Sequence, residues 1–252
     1  MLRALPLVAA LLAVLAAACQ DSEQAVARRP VTPLDLDAVG AIVGEVQFAG
    51  PVPPSKQLQL GAWADCAKQH TGPVSAGDVL VNNGKLQNVV VYVKQGLGER
   101  GFAVPDTPVV IDQVGCLFVP RVAVAQAGQP VRFLNSDPLA HNVRSSPKAQ
   151  RGWNFMLAAK GTNRTITVAK PENVIELKCD VHPWMAAYLG VFDHPYAAVS
   201  GADGRFEFKQ VPPGEYVIEA WHERFGVRSA TLALGQKETR EVAFTFTAEK
   251  AK

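Results

Sequence analysis

Apolar and polar positions alternate with a period of two along most of this chain. Ala41-Ile42-Val43-Gly44-Glu45-Val46-Gln47-Phe48 alternates, as do Arg205-Phe206-Glu207-Phe208, Glu215-Tyr216-Val217-Ile218-Glu219-Ala220-Trp221 and Arg240-Glu241-Val242-Ala243-Phe244-Thr245-Phe246. Val89-Val90-Val91-Tyr92-Val93 is a β-branched run, and Val122-Ala123-Val124, Val131-Arg132-Phe133-Leu134, Thr165-Ile166-Thr167-Val168 and Val174-Ile175-Glu176-Leu177-Lys178 complete the series. A period of two turns successive side chains to opposite faces of a strand, so one face can pack on a core. Ala127-Gly128-Gln129-Pro130, Ala202-Asp203-Gly204 and Pro212-Pro213-Gly214 are turn signals between these runs. Short strands with this punctuation predict an all-β protein of sandwich architecture. Helical character is confined to short pieces near residues 61–68 and 153–159.

The first residues follow another pattern. Met1-Leu2-Arg3 precedes an apolar run from Ala4 to Ala18 that holds a single proline. One early positive charge, a short apolar stretch and small residues before a cleavage point predict a secretory signal over residues 1–18. The run is short for a membrane span. Its end, Leu15-Ala16-Ala17-Ala18-Cys19, resembles a bacterial lipobox, with Ala16 where that pattern has leucine. Lipidation of Cys19 would then hold the protein on a membrane surface without spanning it. Ordinary cleavage after Ala18 fits the same residues and would leave a soluble periplasmic protein. Residues 19–39 are polar, contain Arg28-Arg29-Pro30, and read as a linker.

A net charge of +2 argues against a broad nucleic-acid surface, which needs clustered Lys and Arg. The chain has four cysteines. Setting aside Cys19 and Cys179 leaves Cys66 and Cys116, and in an exported protein a disulfide is their default state. The alternative is a second metal half-site with His70, from Cys66-Ala67-Lys68-Gln69-His70.

The densest chemistry lies in Cys179-Asp180-Val181-His182-Pro183-Trp184-Met185. A thiolate, an imidazole and a thioether stand there at Cys-x2-His-x2-Met spacing, and His141 sits upstream in Asn135-Ser136-Asp137-Pro138-Leu139-Ala140-His141-Asn142. Two histidines and a cysteine with a weak axial methionine are the donor set of a mononuclear blue-copper site. Zinc fits less well, since closed zinc sites use Cys and His without thioether. His141, Cys179, His182 and Met185 are therefore the candidate ligands of one type 1 copper. Met156 is a possible substitute axial ligand, although Asn154-Phe155-Met156-Leu157 reads more simply as packing. Five histidines are too few for a multicopper oxidase cluster. A binuclear copper centre needs a second cysteine in the loop, and the nitrite reductases need an adjacent His-Cys pair where this chain has Lys178-Cys179. Trp221-His222-Glu223 lacks a nearby nucleophile or second histidine and reads as structural.

From about Val109 to Asp193 the chain resembles a cupredoxin, most closely the amicyanin type. The resemblance runs through Val109-Val110-Ile111-Asp112, Phe118-Val119-Pro120, Gly128, Val131-Arg132-Phe133-Leu134-Asn135, His141-Asn142-Val143, the Cys179–Met185 loop and Leu189-Gly190-Val191-Phe192. It implies a Greek-key β-sandwich over residues 106–193 that carries electrons rather than making bonds. It implies that Asn142 ties the two ligand segments together and that Pro183, which has no N–H, removes one hydrogen bond to the thiolate. It also implies an apolar patch of Pro138, Leu139, Pro183, Trp184 and Ala186 around His182, through which electrons pass. The implied partners are a c-type cytochrome, a dehydrogenase or an oxidase.

The flanks resemble a carboxypeptidase-regulatory-like domain, a small transthyretin-like sandwich. Gly44-Glu45-Val46-Gln47-Phe48 and Asn88-Val89-Val90-Val91-Tyr92-Val93 match its first half, and Val199–Phe208 with Val211-Pro212-Pro213-Gly214-Glu215-Tyr216 match its second. Two organisations fit. One is a single sandwich split over residues 40–100 and 195–248 around the inserted cupredoxin, as insertion at a loop permits. The other is an N-terminal extension followed by a separate C-terminal domain. The region 51–71 fits neither sandwich. A copper chaperone or sensor is the alternative function, although such proteins use exposed Met or His clusters and this chain has three methionines.

Overall fold

The computed structural model describes residues 29–248. The expected signal, the lipidation site Cys19 and residues 20–28 of the expected linker lie outside the described residues. Among the described residues no helix is long and apolar enough to cross a membrane. The protein is all-β there, with strands in four sheets and one α-helix of four residues, Ala64–Ala67.

Two sheets draw their strands from both flanks. Gly40–Phe48 pairs in parallel with Thr239–Phe246 and antiparallel with Arg205–Val211 and Lys85–Leu86; Val81–Asn82 completes that sheet. Ala197–Val199, Val90–Gln95, Gly214–His222 and Gly226–Leu234 form the second, in that order. Ile42, Val46, Leu86, Val91, Val211, Ile218, Ala220 and Phe246 fill the core between them without solvent exposure. Gly44 is required at its place. A Cβ there would collide with the Val242 carbonyl oxygen and the Phe206 ring, because Gly40–Phe48 is clasped by strands on both sides.

The other two sheets are built within residues 109–192. Asn154–Leu157, His141–Ser145, Glu172–Lys178, Ala186–Phe192 and Val122–Gln126 form one. Asn163–Thr167, Pro130–Asn135, Val109–Val114 and Leu117–Val119 form its partner. Long crossovers place strands distant in sequence side by side: Val109–Val114 lies parallel to Pro130–Asn135, and Val122–Gln126 parallel to Ala186–Phe192. The core between these sheets ends in Cys179 and Met185.

The helical reading of residues 153–159 is corrected here. Asn154–Leu157 is a strand paired antiparallel with His141–Ser145. Its side chains alternate, with Phe155 and Leu157 inside and Met156 54% exposed, so Met156 neither packs nor ligates. Hydrogen bonds to a neighbouring strand decided a segment whose local propensity was ambiguous.

The two halves of the molecule meet in a third apolar cluster of Val90, Tyr92, Val122 and Phe192. Arg121 donates from Nε and Nη2 to the two carboxylate oxygens of Glu223, each at 2.6 Å, with little exposure on either side. Removing one partner of such a buried pair typically costs about 3–5 kcal/mol. The Asn173 amide donates to the Tyr92 hydroxyl across the same seam at 2.9 Å.

His222, at the end of Gly214–His222, stacks on Phe225 with ring centroids 4.6 Å apart, and its Nδ1 accepts the Arg224 N–H. Glu223 is committed to Arg121, so Trp221-His222-Glu223 is structural in this fold. Burial pushes the His222 imidazole down to about 4, with the Arg121 and Arg224 charges adding to burial against Asp78. Burial also lowers His194. A folded value below the unfolded one means that the unfolded chain takes up more protons on acidification. The stability these two neutral histidines contribute is present above about pH 6.5 and is lost as the pH falls toward 4. The expected result is a urea midpoint that drops over that interval, and drops less in His222→Gln. A midpoint that is flat from pH 7 to 4 would contradict it.

Candidate metal centre

The candidate ligands come from the ends of two neighbouring interior strands, at one end of a sheet. His141 opens His141–Ser145, and Cys179 follows Glu172–Lys178; these strands pair through Leu177–Ser145 and Lys178–Arg144. The chain then loops through residues 179–185 before Ala186–Phe192 begins. Two backbone bonds close this loop: the Met185 N–H donates to the His182 carbonyl at 2.9 Å and the Cys179 N–H to the Met185 carbonyl at 3.4 Å.

Three donor atoms converge. Cys179 Sγ stands 4.0 Å from His141 Nδ1 and 3.8 Å from His182 Nδ1. Metal–nitrogen and metal–sulfur bonds of about 2.0 and 2.3 Å, splayed widely around one ion, span such separations. The same three side chains group as a potential metal-holding set. His141 is fully buried, Cys179 2% exposed and His182 4% exposed, and Met185, on the same loop, is 1% exposed.

Asn142 joins the two segments. Its Oδ1 accepts the Asp180 N–H at 2.6 Å, and its Nδ2 donates to Asp180 Oδ2 at 3.0 Å and to Asn154 Oδ1 at 2.8 Å. An exposed ion pair from Arg144 to Asp180 closes the group at 2.6 Å. Pro183 is exposed at the turn.

Asp137 has a role that sequence reading missed. Its carboxylate bonds His141 Nε2 at 2.9 Å and accepts the backbone N–H groups of Gly115 and Cys116, both at 2.7 Å. With His141 donating from Nε2, Nδ1 is left as the free donor toward Cys179. A histidine ligand ordinarily donates its other N–H to such an outer partner, and Asp137 precedes His141 by four residues in a short loop, which was the signal available.

The charges follow from these contacts. Burial alone would lower His141, but Asp137 and the Cys179 thiolate raise it to about 9. Burial would push the Cys179 thiol up; contacts from His141 and the backbone N–H groups of Asn142, His182 and Val181 outweigh it and hold the thiol below its ordinary value. Burial, with the His141 charge adding to it, lowers His182 to about 4. His182 is thus a neutral imidazole at neutral pH, the Cys179 thiol is eased toward the thiolate, and His141 must release its proton before its Nδ1 can bind a cation.

Cys66 and Cys116 are joined by a disulfide with Cα atoms 5.7 Å apart. Both thiols are consumed, which corrects the alternative of a second metal half-site with His70. That histidine instead bonds the Gly115 carbonyl through Nε2 at 2.8 Å. Gly115 and Cys116 form the two-residue turn between Val109–Val114 and Leu117–Val119, with φ of 62° and 57°. Both turn positions need positive φ, which glycine adopts freely and cysteine does not. Asp137 takes both turn N–H groups and the disulfide holds the side chain, so the turn is fixed from two sides.

The five residues of the apolar patch expected around His182 reach the surface to different degrees. Pro138 and Pro183 are exposed and Leu139, Trp184 and Ala186 half-buried, but His182 itself is buried. The Cys66 and Cys116 sulfurs lie within 4.8 Å of a His182 ring nitrogen, and Trp63 packs on Trp184 with ring centroids 4.7 Å apart. The region that fits neither sandwich therefore lies against the ligand loop. No sequence signal placed it there.

No family model matches the chain, and no curated protein matches it. Among solved structures it is similar to a copper-containing nitrite reductase from Thermus scotoductus at 24% identity, over 39% of this chain and 25% of that one, with a TM-score of 0.33. It is similar to a purple cupredoxin from Nitrosopumilus maritimus at 19% identity, over 33% of this chain and 98% of that one, with a TM-score of 0.29. An oxidized amicyanin mutant matches at 18% identity, over 40% of this chain and 97% of that one, with a TM-score of 0.30. The chain thus spans about a quarter of the nitrite reductase.

Proposed function

We propose that this chain is an exported one-electron carrier holding one type 1 copper at His141, Cys179, His182 and Met185. The observation that carries the proposal is the convergence of two imidazole Nδ1 atoms on one thiol sulfur at 3.8–4.0 Å. Copper bound there would supply a reversible one-electron couple. The chain's own residues supply the rest. Asp137 fixes the His141 tautomer, Asn142 fixes Asp180 and the start of the ligand loop, and two paired strands hold both ends of that loop. A cage held this way resists rearrangement, which favours rapid electron exchange.

The burial of all four side chains suits a resident ion better than one to be handed on, so carrier is preferred to chaperone. No bond-making role is assigned, and the chain is read as a carrier and not an enzyme. We further read residues 106–193 as a cupredoxin domain set within a carboxypeptidase-regulatory-like sandwich of residues 40–100 and 195–248. Cys19 is read as a lipid anchor on the periplasmic side of a bacterial membrane. A c-type cytochrome, a dehydrogenase or an oxidase would be the natural redox partner, met through small and transient contacts.

The test is a titration of the metal-free protein, its disulfide intact, with Cu(II). The expected product has a strong visible thiolate-to-copper band that saturates at one equivalent, is bleached by ascorbate and is restored by ferricyanide. A protein that stays colourless, or that takes up copper without this band, overturns the assignment.

A further inference from the structure

The ligands of the proposed centre are almost wholly buried: His182, the most exposed, shows only 4% of its surface. Electronic coupling falls steeply across gaps, so an electron leaves a buried site along the contacts that reach the surface with the fewest gaps. One such series starts at His182. Its ring stands 5.3 Å from the Trp184 ring, centroid to centroid, and Trp184 stands 4.7 Å from Trp63 in an edge-on contact. Trp63 is 37% exposed.

We propose that electrons enter and leave through Trp63, by way of Trp184 and His182, and that the redox partner docks around Trp63. This inference depends on the copper reading above, and it moves the port away from the ligand histidine.

The geometry of the two indoles supports a built contact. Trp184 donates its Nε1–H to the Cys116 carbonyl at 2.9 Å. Trp63 begins the short helix whose Cys66 is bonded to the same Cys116, and the Cys66 N–H donates to the Trp63 carbonyl at 3.0 Å. Both aromatic residues are thus fastened to residue 116, one by a hydrogen bond and one through the disulfide. A surface cover needs only apolar area; this arrangement also fixes how the two rings meet. Edge-to-face packing at this separation is a favourable aromatic geometry.

The ground around Trp63 says what partner suits it. Gly61 and Ala62 are exposed, and Asp65 is paired with Lys68 at 3.1 Å, so the patch carries a half-exposed indole and nearly balanced charge. A redox protein with an apolar surface around its own cofactor edge fits it. Exposed aromatic residues are favoured centres of such contacts.

The experiment compares copper-loaded full-length wild type, Trp63→Leu and Trp63→Phe by stopped flow. Each reduced protein is mixed with ferricyanide and, separately, with a cationic cobalt(III) complex. Visible and paramagnetic-resonance spectra of all three are recorded first. Identical spectra are expected, because the ring contact of Trp63 is with Trp184; a wild type without the blue band defeats the copper reading and not the route. Trp63→Leu keeps an apolar cover and loses the ring, so its rate constant is expected to fall with both oxidants, while Trp63→Phe retains most of it. A mere cover behaves oppositely: trimming it opens His182 and leaves the rate unchanged or raises it, and either result overturns the route. Asp65→Lys gives an independent reading, since charge near a port steers its partner. Ferricyanide should react faster with it and the cationic complex more slowly. If neither rate moves, the oxidants approach elsewhere and the port is misplaced.

Discussion

Cys179→Ser is expected to abolish the visible band of the copper-loaded protein while leaving its fold in place. The band requires a thiolate, and the serine hydroxyl is a hard donor that stays protonated at neutral pH, so neither the colour nor the soft-ligand affinity for Cu(I) survives. The structural disturbance is small. Cys179 is 2% exposed at the rim of the core and serine is of similar size, so the change leaves no large cavity, although the serine oxygen is too short to replace the sulfur contacts with His141 and His182. Circular dichroism and the denaturation midpoint of the metal-free variant should therefore lie close to those of wild type. Colour that persists in the serine variant would place the copper elsewhere. A variant that unfolds would make Cys179 chiefly a packing residue.

Removing the disulfide should produce a large loss of stability. Cys66 and Cys116 are separated by 50 residues. Cross-linking a loop of that length restricts the unfolded chain by about 4 kcal/mol on the chain-entropy account. Domains are commonly stable by only about 5–15 kcal/mol, so this is a large share. The double variant Cys66→Ser with Cys116→Ser is expected to lower the urea midpoint accordingly and to change tryptophan fluorescence, since Trp63 loses the covalent link that holds its helix beside Trp184. The remaining ties, such as His70 to the Gly115 carbonyl, are single hydrogen bonds of about 1 kcal/mol each. An unchanged midpoint and unchanged fluorescence would mean that the segment is held by packing alone.

Much of the fold was legible because strands announce themselves locally. Alternation located Gly40–Phe48, Gly214–His222 and Thr239–Phe246 to within a residue or two. The helical reading of residues 153–159 fails because a strand of four residues with three large apolar side chains fits either period, and only the neighbouring strand decides between them. The metal loop was legible for a different reason: three donor types lie within seven residues, so the chain itself brings them close. The partner His141 was recognisable by type, and its distance from Cys179 needed the strand pairing.

What escaped reading has a common cause. Asp137 matters because His141 curls back onto it and because a turn more than twenty residues earlier sends it two N–H groups. Trp63 matters because of what it touches across more than a hundred residues of chain. Neither relation leaves a periodic trace. The cysteine count did point to Cys66 and Cys116 as a pair, but it could not say that their bond would draw an irregular segment over the ligand loop.

The strand directions give the molecule a polarity. Arg29 borders a small cavity with Ala127, Ala169 and Pro171. These residues lie at the end of the sheet where Gln126 meets Phe192 and Glu172 meets Val191, whereas the ligand loop caps the other end, where Lys178 meets Ala186. Six residues of strand separate the two levels, about 20 Å at 3.3 Å per residue. A tether arriving from Cys19 by way of Arg29 would therefore lift the metal away from the bilayer. On the proposed reading, the copper would ride on the pole away from the proposed anchor, facing diffusing molecules more readily than those embedded beside that anchor.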